Sequence, residues 1–303
     1  MLGMSPVEGD VGIEIEIEGE VPPLRSGKWQ SITDGSLRGG LEYVTVGARN
    51  VSEVHDRVAF LKRKLQDNER FSFRCSLHVH VNMLDKNVRQ LLNTIYLMYL
   101  MEPVFFKNSG EQRVGNRFCL GVAHADAQVQ AFESIMEGRT PEQIIRHMSI
   151  YNERQYKYSA TNLCSVRRMG TVEIRTMEGT VDPARVQAWC NFLVNIREFA
   201  SSKSNFNEIV EAVFEESPEH FIRNVLNSPS LVYKGVNSQI QMQRSLLVNI
   251  EYKFPNKVFP NAENSSVQDG VSEREAVVPT IRGAANPPRV TITDEFERVY
   301  YQL

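Results

Sequence analysis

Hydrophobic and polar residues alternate most strictly from Gly12 to Glu18, G-I-E-I-E-I-E, which predicts a strand with Ile13, Ile15 and Ile17 on one face and Glu14, Glu16 and Glu18 on the other. Same-face neighbours on a strand lie about 6.8 Å apart. Ionised and unpaired, each such carboxylate pair repels by about 2.4 kcal/mol at an effective dielectric near 20. Exposed to water the row is tolerable, as the acidic face of an edge strand; inside a cleft it calls for cations. The same alternation recurs at Cys75 to Met83, where Leu77, Val79 and Val81 oppose His78, His80 and Asn82, and at Thr171 to Met177, where Val172 and Ile174 oppose Glu173 and Arg175. A further strand is predicted at Leu41 to Val46, after a loop-rich excursion from Val21 to Gly40 with two prolines and four glycines.

Helical spacing separates these strands. Val51, Val54, Val58, Leu61 and Leu65 form one stripe, with Lys62, Arg63 and Lys64 at the C-terminal end, where cations suit the helix dipole. Asp85 is placed to cap a long helix whose stripe is Val88, Leu91, Leu92, Ile95, Met98 and Tyr99, expected to end near Pro103. Helices are also expected around Ala127 to Met136, Pro141 to His147, Asn207 to Phe214 and Pro218 to Leu226, while Tyr151 to Tyr158 is ambiguous. Asp182 followed by Pro183 is a strong helix start, continued by Val186, Trp189, Cys190, Leu193 and Ile196. Strands and helices mix without regular βαβ alternation, so the expected class is α+β with a largely antiparallel sheet. The expected organisation is a domain over residues 1–250 followed by an extended or disordered tail over 251–303, where Asn, Ser, Gly and Pro become frequent.

Composition narrows the function. With 42% hydrophobic and 23% charged residues and a formal net charge of -3, nothing suggests a protein-wide attraction to nucleic acid or anionic membrane. The most apolar run, Ile95 to Met101, is too short to span a bilayer, and residues 1–10 lack the basic and apolar regions of a signal peptide, so a cytoplasmic location is expected. Cys75, Cys119, Cys164 and Cys190 form no C-x-x-C pair and are expected as buried reduced thiols. Neither G-x-x-x-x-G-K-S/T nor G-x-G-x-x-G occurs.

The polar strand faces together offer Glu14, Glu16 and Glu18, then Glu42, then His78 and His80, then Glu173 with Arg175. Oxygen-rich ligands with one or two imidazoles suit Mg²⁺ or Mn²⁺, and no thiolate pair is at hand for structural zinc. An arginine adds a bidentate holder for carboxylate or phosphate. Plainer readings stand beside this one. An H-x-H pair can simply line a polar strand face, Glu173 and Arg175 can be an ordinary same-face ion pair, and Arg167 with Arg168 can be solvated or can neutralise phosphate. An amidohydrolase-type H-x-H would need a (β/α)₈ repeat that the chain does not show. His55, His124, His147 and His220 have no such company.

On these motifs the chain resembles the amidoligase family of the glutamine synthetase and glutamate-cysteine ligase superfamily. Gly12-Ile13-Glu14-Ile15-Glu16 is similar to its opening G-x-E-x-E strand, and Asp34-Gly35-Ser36 followed by Glu42 to its D-x-S then Glu segment. Ser76 to Val81 resembles its histidine strand, Arg113 with Asn116 and Cys119 an R-x-x-N segment, and Tyr158 with Asn162 the region before the last catalytic strand. Gly170 to Arg175, then Gly179-Thr180 and Trp189, are similar to its G-T-x-E-x-R strand, G-T turn and following helix, so that the ordered set runs from about Gly12 to Ala200.

The resemblance implies a glutamine synthetase-like curved sheet with helices on its convex side, and an ATP- and Mg²⁺-dependent (or Mn²⁺-dependent) carboxylate-amine ligase working through an acyl phosphate. It implies that Glu14, His78 and Glu173 hold one divalent cation and Glu16 with Glu42 another. It places His80 near the nucleotide phosphates, Arg175 on the substrate carboxylate or transferring phosphoryl group, and Asp34, Ser36, Arg113 and Asn162 on the substrate or phosphate side, with Arg168 assigned to the nucleotide. Glu18 follows the strand's alternation but is not carried over as a ligand. Thr171 stands where glutamine synthetases have an additional arginine, which detaches the reading from glutamate and ammonia. The implied partners are small-molecule or peptide carboxylates and amines, with nucleic acid only as a modified substrate; since related synthetases build sites between subunits, a homo-oligomer is compatible. A guanidino-kinase-like phosphotransferase on the same fold and an inactive binding or scaffold protein are the alternatives.

Overall fold

The computed structural model describes residues 9–46, 50–124, 126–138, 140–148, 156–253 and 267. All lie in the first, Met1–Ser272, of two units into which the chain divides. The strands are β1 (Val11–Glu18), β2 (Trp29–Ile32), β3 (Gly40–Thr45), β4 (Ser76–Asn82), β5 (Thr161–Asn162) and β6 (Thr171–Glu178), in one six-stranded sheet of order β2-β3-β1-β4-β6-β5. Every neighbouring pair is antiparallel, and with helices between the strands the class is α+β. The helices are α1 (Val54–Leu65), α2 (Val88–Asn108), α3 (Asp126–Met136), α4 (Pro141–His147), the single turn α5 (Val166–Met169), α6 (Pro183–Ser201), α7 (Phe206–Phe214) and, after short turns at Pro218–His220 and Phe221–Val225, α8 (Asn237–Lys253).

One sheet face is apolar. Ile13, Ile15, Ile17, Leu77, Val79, Val81, Val172, Ile174 and Met177 are buried in a core shared with Val54, Val58 and Leu61 of α1, Leu92 and Tyr96 of α2, and Val186 and Trp189 of α6. Burying one isoleucine side chain contributes roughly 1.5–3 kcal/mol. A one-residue slip of β1 would forfeit that for three isoleucines and turn three carboxylates into the core, so the register is tightly specified. The helices therefore leave the opposite, carboxylate-bearing face to the site.

Several local expectations need revision. Two strands escape the hydrophobic pattern: β2 lies inside the Gly/Pro-rich excursion, and β5 has only two residues, too few for periodicity. The cap of α2 is Asn87, which forms a reciprocal capping box with Gln90, while Asp85 pairs with Lys86 at 3.0 Å. That helix also runs past Pro103 to Asn108. Proline removes the N–H that would bond the carbonyl four residues back. Here the Tyr99 carbonyl accepts instead from Gln243 Nε2 of α8 at 2.8 Å, so a distant helix makes up the loss.

Other expectations hold. Asp182 caps α6 by accepting from the N–H groups of Ala184 at 2.9 Å and Arg185 at 3.2 Å, and the four cysteines are free and buried. No described helix is long and apolar enough to cross a membrane. Of the expected tail, residues up to Lys253 complete α8 and Val267 is buried, donating its N–H to the Lys86 carbonyl; its other residues, and 151–155 of the ambiguous stretch, lie outside the described residues.

Candidate active site

Strand register assembles the site. Directly opposed residues form a row across the sheet: Glu42 faces Glu16 between β3 and β1, Glu14 faces His78 between β1 and β4, His80 faces Glu173 between β4 and β6, and Glu173 faces Asn162 between β6 and β5. Side chains directly opposed in an antiparallel pair have Cβ atoms about 4.5–5.5 Å apart. Ionisable side chains from four strands, with the Asn162 amide from a fifth, are thus packed together by backbone geometry alone.

His78 sits at the centre, only 2% exposed. Its Nδ1 lies 3.1 Å from Glu14 Oε2 and 3.5 Å from Glu173 Oε1, and its Nε2 lies 2.6 Å from Ser76 Oγ. Ser76 also donates its hydroxyl and, at 2.8 Å, its N–H to Glu16 Oε2. With the hydroxyl hydrogen directed at Glu16, the serine oxygen is left to accept from Nε2–H. Nδ1 faces the Glu14 and Glu173 carboxylates, a donor to them when it carries a hydrogen and a ligand beside them when it does not. Two sets of ligand atoms follow, Glu14 with His78 and Glu173, and Glu16 with Glu42 and His78, the atoms of each lying within 4.8 Å of one another. Oxygen-rich sets joined by one imidazole fit a hard divalent cation, which would give their lone pairs a common partner.

The electrostatics carry the same signature. Burial, reinforced by Glu14, Glu16 and Asp34, pushes the Glu42 carboxyl up to about 10. Burial also works against ionisation of Glu14 and Glu173, yet His80 and His78 hold Glu14 well below the carboxylate range, and Arg175 with the two histidines holds Glu173 below it. Desolvation of the ring pulls His80 down, but the charge and hydrogen bond of Glu14, joined by the charge of Glu173, shift it upward. Its Nε2 lies 3.1 Å from Glu14 Oε1 and its Nδ1 3.0 Å from Thr171 Oγ1, so both ring nitrogens are engaged.

Around this centre, Arg175 donates through Nη1 to Glu173 Oε1, and Asn162 Nδ2 donates to Glu173 Oε2 at 2.6 Å. Asp34 lies close enough to act on Glu42, and its Oδ1 accepts from the Ser36 N–H at 2.6 Å, while Arg74 Nη1 donates to the Ser36 carbonyl. Glu18 accepts from the Arg38 N–H at 3.0 Å at the end of β1. Arg113 is fully buried and directs its guanidinium at main-chain carbonyls of β6. Arg168 is exposed on α5.

Ser76 and Thr171 belong to the site through their hydroxyls, against His78 and His80, although neither carries a charge that marks it in the sequence. The signal was strand parity, since Ser76 shares a face with His78 and His80, and Thr171 with Glu173 and Arg175. In comparison with known proteins, residues 48–197 fit the family model described as putative amidoligase enzyme. That span begins after β3 and takes in β4, β5, β6 and most of α6, whereas Glu14, Glu16 and Glu42 precede it. No curated protein matches the chain.

Proposed function

Because this chain belongs to the putative amidoligase enzyme family, matched over residues 48–197, we propose that it is an ATP- and Mg²⁺-dependent ligase joining a carboxylate to an amine. The observation that carries this reading is the pair of ligand sets sharing His78, with the Arg175 guanidinium beside Glu173. A carboxylate is a poor acylating agent because oxide leaves badly. Transfer of the γ-phosphoryl group to a carboxylate oxygen releases ADP and gives an acyl phosphate; attack of a neutral amine on its carbonyl carbon then expels phosphate, and the amine proton passes to a base.

Divalent cations at such a site supply charge neutralisation of phosphoryl oxygens. Glu14, His78 and Glu173 would hold one, and Glu16 with Glu42 the other. Ser76 fixes the imidazole of His78 through Glu16, and Asn162 orients Glu173, which are roles of the kind that tune metal ligands elsewhere. Arg175, 11% exposed at its side chain and already charged, is the group suited to receive a carboxylate or phosphoryl oxygen. Asp34 and Ser36, on the loop beside Glu42, stand on the substrate side, and His80 on the phosphate side.

The test is direct. Purified protein with Mg²⁺, ATP and a panel of carboxylic acids and amines should release ADP in step with amide, and Glu14→Gln or Glu173→Gln should abolish this. Full turnover in either variant overturns the site assignment. A stable phosphorylated product without amide would instead identify a phosphotransferase.

A further inference from the structure

The pairing of β4 with β6 contains an irregularity that falls on the site. Leu77 pairs with Met177 and Val79 with Ile174, so Arg175 and Thr176 together oppose the single residue His78. This is the pattern of a β-bulge, which bends its strand and re-aims side chains. Parity shows the result: Ile174 and Met177 both face the core although three positions apart, and Arg175 projects on the carboxylate face next to Glu173.

A bulge so placed must be held. On one side the Arg175 N–H donates to the Ala160 carbonyl at 2.9 Å, just before the two-residue strand β5. Its carbonyl is met by Arg113, whose Nη2 donates to Arg175 O at 2.7 Å and whose Nε donates to Thr176 O at 3.3 Å. One planar fork thus spans both bulge carbonyls. Arg113 is fully buried, and the preceding Ser109 carbonyl accepts the Glu178 N–H at 2.8 Å, so residues 109–113 line this edge of β6. Burying a guanidinium is expensive, and carbonyl partners compensate less than a carboxylate would.

We propose that Arg113 is a positioning residue: it braces the bulge at Arg175 and Thr176 and thereby sets the Arg175 guanidinium against Glu173. The functional meaning rests on the proposed role of Arg175, but the brace itself is measured without catalysis. Lysine carries one ammonium and cannot span two carbonyls as a fork does.

In protein labelled with ¹⁵N-arginine, assigned through Arg113→Lys and Arg175→Lys, the Nε–H of Arg113 should exchange slowly in the native chain. In Arg113→Lys, folded by thermal unfolding and circular dichroism, the Arg175 guanidinium signal should shift and lose its protection. Crystals of that variant should show the contact between Arg175 and Glu173 broken with β4 in place. The proposal is overturned if the native Arg113 Nε–H exchanges as fast as an exposed arginine, or if Arg175 keeps its signal and its contact in Arg113→Lys. The native-protein measurement decides even if the variant fails to fold. An intact brace in a protein without ligase turnover would count against the proposed function alone.

Discussion

Replacing Glu102 by glutamine should flatten the pH dependence of stability. This carboxyl is 2% exposed on α2. It accepts from the Val122 N–H at 2.8 Å, from Thr161 Oγ1 at 2.9 Å and from Gln243 Nε2 at 3.5 Å. Burial nevertheless dominates these bonds and raises the group from 4.5 to about 7. Because the folded state holds the proton more tightly than the unfolded chain, stability is fully present below 4.5 and is lost as pH rises toward 7. Each pH unit in that window removes about 1.4 kcal/mol, giving a loss on the order of 3 kcal/mol across it. Glutamine keeps an acceptor for the Val122 N–H and cannot ionise, and the Thr161 hydroxyl can turn to accept from its amide. Urea unfolding of both proteins from pH 4.5 to 8, in chelator, isolates the contribution, since every other titrating group is common to the two. Parallel stability curves would refute the reasoning.

Two further changes probe the site's scaffold. A β-carbon at Gly40 would lie 2.2 Å from the Ile17 carbonyl oxygen, so Gly40→Ala should push β3 off β1 and separate Glu42 from Glu16, lowering Mn²⁺ affinity in calorimetry; unchanged affinity would contradict the pairing. Ser76→Ala removes the hydroxyl between Glu16 and His78 and should weaken Mn²⁺ binding by about 10–100-fold. Binding within twofold of the native protein would leave Ser76 without that role.

Much of this arrangement is legible in the sequence where both faces of a strand are specified. From Ile13 to Glu18 in β1 and from Leu77 to Val81 in β4, apolar and ionisable residues alternate without a break, so the core face also dictates which side chains meet on the other. Asp182-Pro183 is legible because its capping chemistry is local. The misses are non-local. Pro103 looks like a helix end until Gln243, from a helix 140 residues further along the chain, takes the freed Tyr99 carbonyl. The bulge at Arg175 and Thr176 breaks strand parity, and its brace comes from Arg113, which in sequence looks like another substrate-side cation. Ser76 and Thr171 share the parity of the ionisable residues but carry no charge to draw notice.

The central claim is that Glu14, His78 and Glu173, and Glu16 with Glu42, bind divalent cations that receive a nucleotide. Anomalous diffraction from crystals soaked with Mn²⁺ and a non-hydrolysable ATP analogue tests it most directly. The account predicts manganese peaks within each ligand set, bridged by phosphate oxygens that approach Arg175. Peaks confined to other surfaces, or a nucleotide bound away from this sheet face, would contradict it.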